Sequence, residues 1–127
     1  MSRPIAGYGK SLYRALVEHA AVALLVLDRS GDVSFANQAA RWQLGFDCSG
    51  RRFSDLFESG SRDRCVAYVA ELEHRSAQGG SMAFAGTAVH ADGSAIRVEV
   101  HATNCLDAPD VCGIVVSMIN VTAQHLR

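Results

Sequence analysis

The sequence predicts an α+β fold in which helices pack over one face of a five-stranded antiparallel sheet, preceded by an N-terminal flanking helix. Three observations lead to this prediction. Apolar residues recur at helical spacing near the N-terminus and again in the middle of the chain. Two short extended runs lie between these helical segments, and three extended runs joined by turns close the chain. Strands joined by hairpins pair antiparallel, which leaves one sheet face for the helices.

The first two elements are the flanking helix and a β-hairpin. Leu12, Leu16 and Ala20 recur at i, i+4 and i+8, which predicts a helix with a broad apolar stripe. The short apolar runs Val22–Leu27 and Val33–Ala36 flank a turn that contains Ser, Gly and Asp. Such a turn between two apolar runs predicts a hairpin.

Helical pieces are expected between the second and third strands. Asn37 is a favourable N-cap and Gly45 a favourable C-terminal stop, so a short helix is predicted between them. Ser54–Phe57 predicts one capped helical turn, and Arg62–Ala77 predicts a longer helix. One side of the longer helix is expected to carry Cys65, Val69 and Leu72, with Val66 and Tyr68 beside them.

Three strands follow, over Ser81–His90, Ala95–Cys105 and Val111–Val121. Asp92-Gly93 between the first two is a hairpin signature. The middle strand alternates strictly, and a period of two separates the faces of a strand. One face is predicted to carry Ile96, Val98, Val100 and Ala102, and the other Arg97, Glu99, His101 and Thr103.

Composition limits the functional classes. The chain has 127 residues and a net charge of −1, so it fits one domain without the basic excess of a nucleic-acid-binding protein. The longest apolar run, Ala20–Leu27, is too short to span a bilayer, and the N-terminus lacks the apolar core of a signal peptide. We therefore expect a cytoplasmic protein. Its predicted parts are a lead-in over residues 1–9, the flanking helix over 10–20, a core over 21–122 and the start of a C-terminal connector over 123–127.

The motifs, in this order, resemble the PAS family. Leu24–Ala40 is similar to the family's opening hairpin with its Asn-x-Ala helix start, and Gly45-Phe46 to the pair that ends this helix. Gly50–Leu56, the Asp-Gly hairpin and Gly113–Thr122 match later segments, so the resemblance covers nearly the whole chain. It implies a sensory or regulatory module of a signal-transduction protein, such as a histidine kinase, a cyclic-dinucleotide enzyme or a transcription regulator, with the linked effector domain outside this chain.

The end of the last strand departs from the family pattern. Asn120-Val121-Thr122 stands where the family often has Asp-Ile-Thr, whose Asp and Thr couple the sheet to an outgoing helix. The resemblance therefore implies a signal-coupling role for Asn120 and Thr122. Asn keeps the hydrogen-bonding shape of Asp without its charge, so a salt bridge from this position is not expected.

Strand parity predicts an apolar interior with few polar anchors, which suits an apolar or amphipathic ligand such as a fatty acid. The same side chains are equally compatible with a filled core in a ligand-free dimerisation or interaction module. The candidate ligand-binding residues are Leu25, Val66, Val69, Met82, Phe84, Val98, Val100, Val116 and Met118. A homodimer is expected through the flanking helix, at Leu12, Tyr13, Leu16 and Val17.

No catalytic or metal-binding residues are predicted, because the sequence lacks a glycine-rich phosphate loop, a nucleophile elbow and an HExxH motif. The cofactor stays unknown, and a haem or flavin redox sensor is a second alternative. The resemblance aligns Phe53 with the family's flavin-reactive Cys and Cys65 with its haem-ligating His, whereas few polar groups, such as Gln43 and Asn104, are available for a flavin. All four cysteines are expected to be reduced, buried and apolar in role.

Overall fold

The computed structural model describes residues 12, 14–74 and 81–122. A helical segment over residues 14–18 precedes the first strand. The other elements, in chain order, are β1 (Ala23–Leu27), β2 (Val33–Ala36), α1 (Gln38–Leu44), a 3₁₀ helix (Phe53–Leu56), α2 (Ser59–His74), β3 (Ser81–Val89), β4 (Ala95–Cys105) and β5 (Gly113–Asn120). None of the helices within these described ranges is long and apolar enough to cross a membrane.

The five strands form one sheet in the order β2-β1-β5-β4-β3, and every neighbouring pair is antiparallel. In the middle of the sheet Val100 of β4 pairs with Phe84 of β3 and with Met118 of β5. Because β2 and β3 lie at opposite edges, the chain between them must cross a face of the sheet, and the helices of this crossing cover it. The predicted antiparallel α+β architecture is confirmed.

The alternation of β4 is confirmed residue by residue. Val98 and Val100 are buried, whereas Arg97 and Glu99 are exposed. The buried face of β4 meets the buried residues of β1 and β5 in one apolar layer beneath the helices. The largest fully buried side chains are Phe53, Phe57, Leu25, Leu27, Leu44, Leu72, Ile114, Met118, Val33, Val98, Val100 and Val116.

Both predicted ends of α1 are confirmed. The Asn37 side chain accepts a hydrogen bond from the Ala40 amide at 3.0 Å, which satisfies a free N–H of the first turn. Gly45 has a φ of 83° and its amide donates to the Arg41 carbonyl, as a left-handed C-terminal stop does. The following helical turn is a 3₁₀ helix that begins at Phe53, one residue before the predicted start.

Two predictions about α2 need correction. The helix begins at Ser59, three residues before the predicted start, and its predicted end at Ala77 lies outside the described residues. Val66 was expected to face the interior, but its side chain is 52% exposed, so that prediction is wrong. Successive helical residues are rotated by about 100°. The face that meets the sheet consists of Ser61, Cys65, Tyr68 and Leu72.

The last strand begins at Gly113 rather than at the predicted Val111, because Val111 and Cys112 belong to the preceding turn. Both of their amides donate to the Ala108 carbonyl, and Cys112 has a φ of 53°. All four cysteines are free. Cys48 and Cys65 are buried as expected, whereas Cys105 is only partly buried and Cys112 is exposed, so the expectation of four buried cysteines is wrong.

Candidate ligand-binding core and signal-coupling junctions

A chain of aromatic rings fills the interior beneath α2. The centroids of Phe53 and Phe57 are 5.3 Å apart, and those of Phe57 and Phe84 are 5.5 Å apart, both in edge-to-face geometry. Tyr68 stacks on Phe84 at 5.1 Å. Gly86 leaves the room that this cluster needs, since a Cβ there would lie 2.9 Å from Phe84 Cε2. Such ring pairs add specific geometry to the burial of apolar area.

Tyr68 and Asn104 are two of the polar side chains that attach α2 to the sheet, and Ser61 and Arg64 also bond the backbone of β3. The Tyr68 hydroxyl donates to the Met82 carbonyl at 2.8 Å, and burial raises the pKa of this phenol to about 12. The Asn104 amide donates to the Leu72 carbonyl at 2.8 Å, and its oxygen accepts from the Leu106 amide at the same distance. These buried polar groups therefore have partners and fix the helix over β3 and β4.

The structure brings together most of the residues predicted to contact a ligand. Phe84 and Met82 lie on the edge strand β3, and Met82 and Val69 are only partly buried where they pack against the core. Val66 stands apart on the exposed side of α2. The predicted residues that share the buried interior are Leu25, Phe84, Val98, Val100, Val116 and Met118.

Two concavities of the described chain are open grooves at the surface. One, of about 400 Å³, lies between the end of α1 and the β3–β4 turn, and Arg51 stacks over the Phe46 ring in its wall at 5.1 Å. The other, of about 180 Å³, lies between α2 and the β1–β2 turn. Leu25, Val100 and Met118 line neither groove.

The segment that enters the core is held by Asn37. This side chain is fully buried, and its oxygen accepts from the Leu24 amide at 2.9 Å as well as from α1. Its amide nitrogen donates to the Val17 carbonyl at 2.7 Å and to the Val22 carbonyl at 3.0 Å. We call this the entry junction. The sequence motif indicated Asn37 as a helix cap, but no local signal predicted its bonds to residues 15 and 20 positions earlier.

Arg41 adds a second tie at the entry junction. Its guanidinium donates to the Ala36 carbonyl at 2.7 Å and forms an ion pair with Glu18. The hydrogen bond from Arg41 holds the pKa of the Glu18 carboxyl below its ordinary value. Gln38 and His19 are also in contact, with Oε1 and Nδ1 3.2 Å apart. The described polar contacts of Val17, Glu18 and His19 are thus made with α1 and its N-cap.

The end of β5 is attached to β4 at Arg97, and we call this the exit junction. The Arg97 amide donates to the Thr122 hydroxyl at 2.8 Å, and the Val121 amide donates to the Arg97 carbonyl at 2.8 Å. Asn120 accepts from the Thr122 amide at 2.8 Å. Both residues with a predicted coupling role therefore lie where the chain leaves the sheet. Asn120 is exposed, and Thr122 is partly so.

The donor chemistry near the predicted cofactor positions fits a redox cofactor poorly. Burial raises the pKa of the Cys65 thiol to about 12, which disfavours the thiolate that would ligate haem iron. Phe53, aligned with the flavin-reactive Cys, is buried in the aromatic cluster, and burial raises the pKa of the nearby Cys48 thiol to about 11. The Asn104 amide already bonds the backbone. Within the described residues no three His, Cys, Asp or Glu side chains converge as a metal site would require.

Comparison with known proteins identifies the family. The family model of the PAS fold matches residues 11–121. The chain belongs to the PAS family. PAS domains are typically sensory or signalling modules, and in this one the matched range includes both Asn37 and Asn120. A search of curated proteins gave no significant match.

Solved structures agree with this assignment at the level of the fold. A PAS domain from Colwellia psychrerythraea is 14% identical, with a TM-score of 0.75 over 90% of this chain and 98% of that one. A domain of a sensory box sensor histidine kinase/response regulator from Geobacter sulfurreducens is 22% identical, with a TM-score of 0.65 over 91% and 96%. The Rhodobacter sphaeroides LOV protein is 15% identical, with a TM-score of 0.72 over 91% of this chain and 68% of that one.

Proposed function

We propose that this PAS domain is a regulatory module that passes a change of packing on the inner sheet face to a C-terminal connector. The observation that carries the proposal is the exit junction. Arg97 alternates with the core residue Val98 on β4, so a displacement of β4 reaches Thr122 through one hydrogen bond. Two states of this junction, populated differently with and without an input, are sufficient for signalling. The linked effector, the cytoplasmic location and the lack of catalytic activity are further parts of the proposal.

The proposed input is a small apolar or amphipathic ligand between α2 and the sheet. Met82 and Phe84 on the edge strand and Val69 on α2 are the least buried of the interior candidates, so they can move at the lowest cost in packing. The ligand would then contact residues beneath them, such as Val100 and Met118. A ligand that displaces Phe84 also disturbs its stacking on Tyr68, and with it the attachment of α2 to β3.

The proposed assembly is a homodimer through the flanking helix. Leu12 and Leu16 are 47% and 58% exposed and lie four residues apart, on one helical face. Val17 is partly buried, and the fourth interface residue, Tyr13, lies outside the described residues. Because the described polar contacts of this segment go to α1, we assign the outer sheet face around Glu99 to the flanking helix of a second copy.

The alternative is a ligand-free dimerisation module, and the filled aromatic core favours it. The rings of Phe53, Phe57 and Phe84 are already in van der Waals contact, so no enclosed space has to be explained by a ligand. A haem or flavin redox sensor is the second alternative, and the burial of the Cys65 thiol, which raises its pKa to about 12, counts against haem.

Absorbance, mass spectrometry and light scattering on the purified chain distinguish these functions. We expect a colourless protein whose denatured extract releases a lipid, and substitution of Phe84→Trp should reduce the recovered amount severalfold by filling the space into which the ligand intrudes. Val66→Leu on the exposed side of α2 is the matched control and should leave the recovery unchanged. A protein that releases nothing would support the ligand-free module, and a Soret or flavin band would support the redox sensor.

The dimer is tested separately by the double substitution Leu12→Glu/Leu16→Glu. Two charges on the shared apolar face should convert the dimer to a monomer in light scattering, while Arg14→Glu, on a different face of the same helical segment, should leave it intact. A dimer that survives both changes would move the interface away from the flanking helix.

A further inference from the structure

Helix α2 has a second apolar face, and of its residues only Val69 also packs against the core. Val66, Val69 and Ala70 lie at i, i+3 and i+4, with Glu73 at i+7, so they share one side of the helix. This side faces the β1–β2 turn rather than the sheet. The groove between them, which we call the α2 groove, is lined by Ser30, Gly31, Arg52, Ser54, Val66, Val69, Ala70 and Glu73.

A buried hydroxyl lies at the floor of the α2 groove. Ser54 is 5% exposed, and within the described residues its hydroxyl has no hydrogen-bond partner. No side-chain oxygen or nitrogen of the described chain is both fully enclosed and unpaired. The Ser54 hydroxyl therefore opens into the groove, where a bound molecule can satisfy it. A polar group at this degree of burial is otherwise expected to be paired.

Two opposite charges border the same groove. The Arg52 guanidinium is held by the Ser30 carbonyl at 3.3 Å and, more loosely, by the Asp32 carboxylate at 3.9 Å, which leaves further N–H groups free to donate. Glu73 supplies a carboxylate from α2. Arg52 and Glu73 form no ion pair with each other among the described side chains, so the Glu73 carboxylate and the remaining N–H groups of Arg52 are available to a ligand between them.

We propose that the α2 groove binds a linear zwitterion, an ω-amino acid of four to six carbons. Its carboxylate pairs with Arg52 and accepts from Ser54, its ammonium pairs with Glu73, and its methylene chain covers Val66, Val69 and Ala70. The groove has a volume of about 180 Å³ and is open to solvent, so it admits a short linear molecule. A plain carboxylate leaves Glu73 unmatched, and a plain amine leaves Arg52 and Ser54 unmatched.

This site shares only Val69 with the residues proposed to contact the core ligand, and binding here does not require a ligand in the core. The groove lies along the face of α2 next to the one that carries Cys65 and Leu72, which meets the sheet. Binding here would restrain the β1–β2 turn against α2, because Gly31 of the turn and Val69 of α2 both line the groove.

Titration of the chain with 5-aminopentanoate, followed by amide NMR shifts, tests the proposal. We expect saturable shifts at Gly31, Ser54 and Ala70 with a dissociation constant on the order of 1–10 mM, since exposed ion pairs are individually weak. Arg52→Gln and Glu73→Gln should each weaken binding about fivefold, and Ser54→Ala somewhat less. Arg29 is an exposed arginine of the β1–β2 turn that does not line the groove. Arg29→Gln is therefore the matched control, and this variant should bind 5-aminopentanoate as tightly as the unaltered chain does.

Pentanoate and pentylamine complete the test, because each carries one of the two charges. Both should bind at least fivefold more weakly than 5-aminopentanoate. Equal affinity for pentanoate would overturn the zwitterion assignment, and shifts that do not saturate, or that Arg52→Gln leaves unchanged, would overturn the site. Thermal melts of every variant establish that weakened binding is not caused by unfolding.

Discussion

The two junctions where flanking segments meet the core differ in burial. At the entry junction Asn37 is fully buried and takes part in four hydrogen bonds, with Val17, Val22, Leu24 and Ala40. At the exit junction the corresponding bonds are made by Asn120 and Thr122, whose side chains reach water.

This difference indicates which junction can move. Breaking the bonds of Asn37 leaves buried donors and acceptors without partners, which is costly because water does not replace them. Breaking the bonds of Thr122 costs little, since water takes the place of the lost partner. The entry junction is therefore a fixed attachment, and in the function that we propose the exit junction is the one that changes between two arrangements.

The largest predicted effect is at the entry junction. Asn37→Ala removes four hydrogen bonds around a buried side chain, and we expect it to lower the free energy of unfolding by about 3 kcal/mol. Chemical denaturation measures this change. The neighbouring substitution Gln38→Ala loses only an exposed contact with His19 and should change stability by less than about 0.5 kcal/mol. Equal effects of the two substitutions would contradict the fixed attachment.

A smaller effect is predicted at the exit junction. Thr122→Val keeps the shape of the side chain and removes the acceptor of the Arg97 amide, so we expect a loss of about 1 kcal/mol or less. Hydrogen exchange at the Arg97 amide should accelerate. Thr103 lies on β4, the strand of Arg97. Thr103→Val is the control and should leave the exchange rate of the Arg97 amide unchanged. If Thr122→Val proves as destabilising as Asn37→Ala, the two junctions do not differ as we infer.

The ion pair at the entry junction predicts a pH dependence. The Arg41 hydrogen bond lowers the pKa of the Glu18 carboxyl in the folded chain, and partial desolvation opposes this shift. A lowered folded pKa stabilises the fold above the ordinary value of 4.5 and loses this effect as the pH falls through the lowered value. The melting temperatures of the unaltered chain and Glu18→Gln should differ at pH 7 and converge in acid. A difference in melting temperature that stays the same at both pH values would exclude this linkage. Glu58→Gln is the matched control, and its melting temperature should follow that of the unaltered chain at both pH values.

The smallest effect is expected at Asn120. Asn120→Asp keeps the oxygen that accepts from the Thr122 amide and adds an exposed charge. Its stability should therefore remain within about 0.5 kcal/mol of the unaltered chain. A change of more than about 1 kcal/mol in the free energy of unfolding would mean that the new carboxylate interacts with a charged group outside the exit junction.

Residues with strictly local signals were predicted well. The alternation of β4 assigned Val98 and Val100 to the interior and Arg97 and Glu99 to the surface, because a strand has only two faces. Asn37 and Gly45 marked α1, because capping groups act within a few residues. The ordered motifs were sufficient to indicate the family, and Asn120 and Thr122 do lie where the chain leaves the sheet.

Residues whose environment is set by distant partners were predicted poorly. Val66 belongs to the broad apolar stripe of α2, and a helix can turn any part of such a stripe toward its neighbour, so burial depends on where the sheet lies. Cys112 was expected inside, but the turn after β4 places it at the surface. The bonds of Asn37 to Val17 and Val22 span 20 and 15 residues and have no local pattern.

The sequence by itself determined the order of the elements, the two faces of each strand, the limits of α1 and the family. Only the tertiary structure decided which side of α2 meets the sheet, how completely aromatic rings fill the interior, and that the entry junction is buried while the exit junction is open. The physical reason is the range of the interactions. Backbone geometry and capping act between near neighbours in the chain, whereas burial depends on segments that only folding brings together.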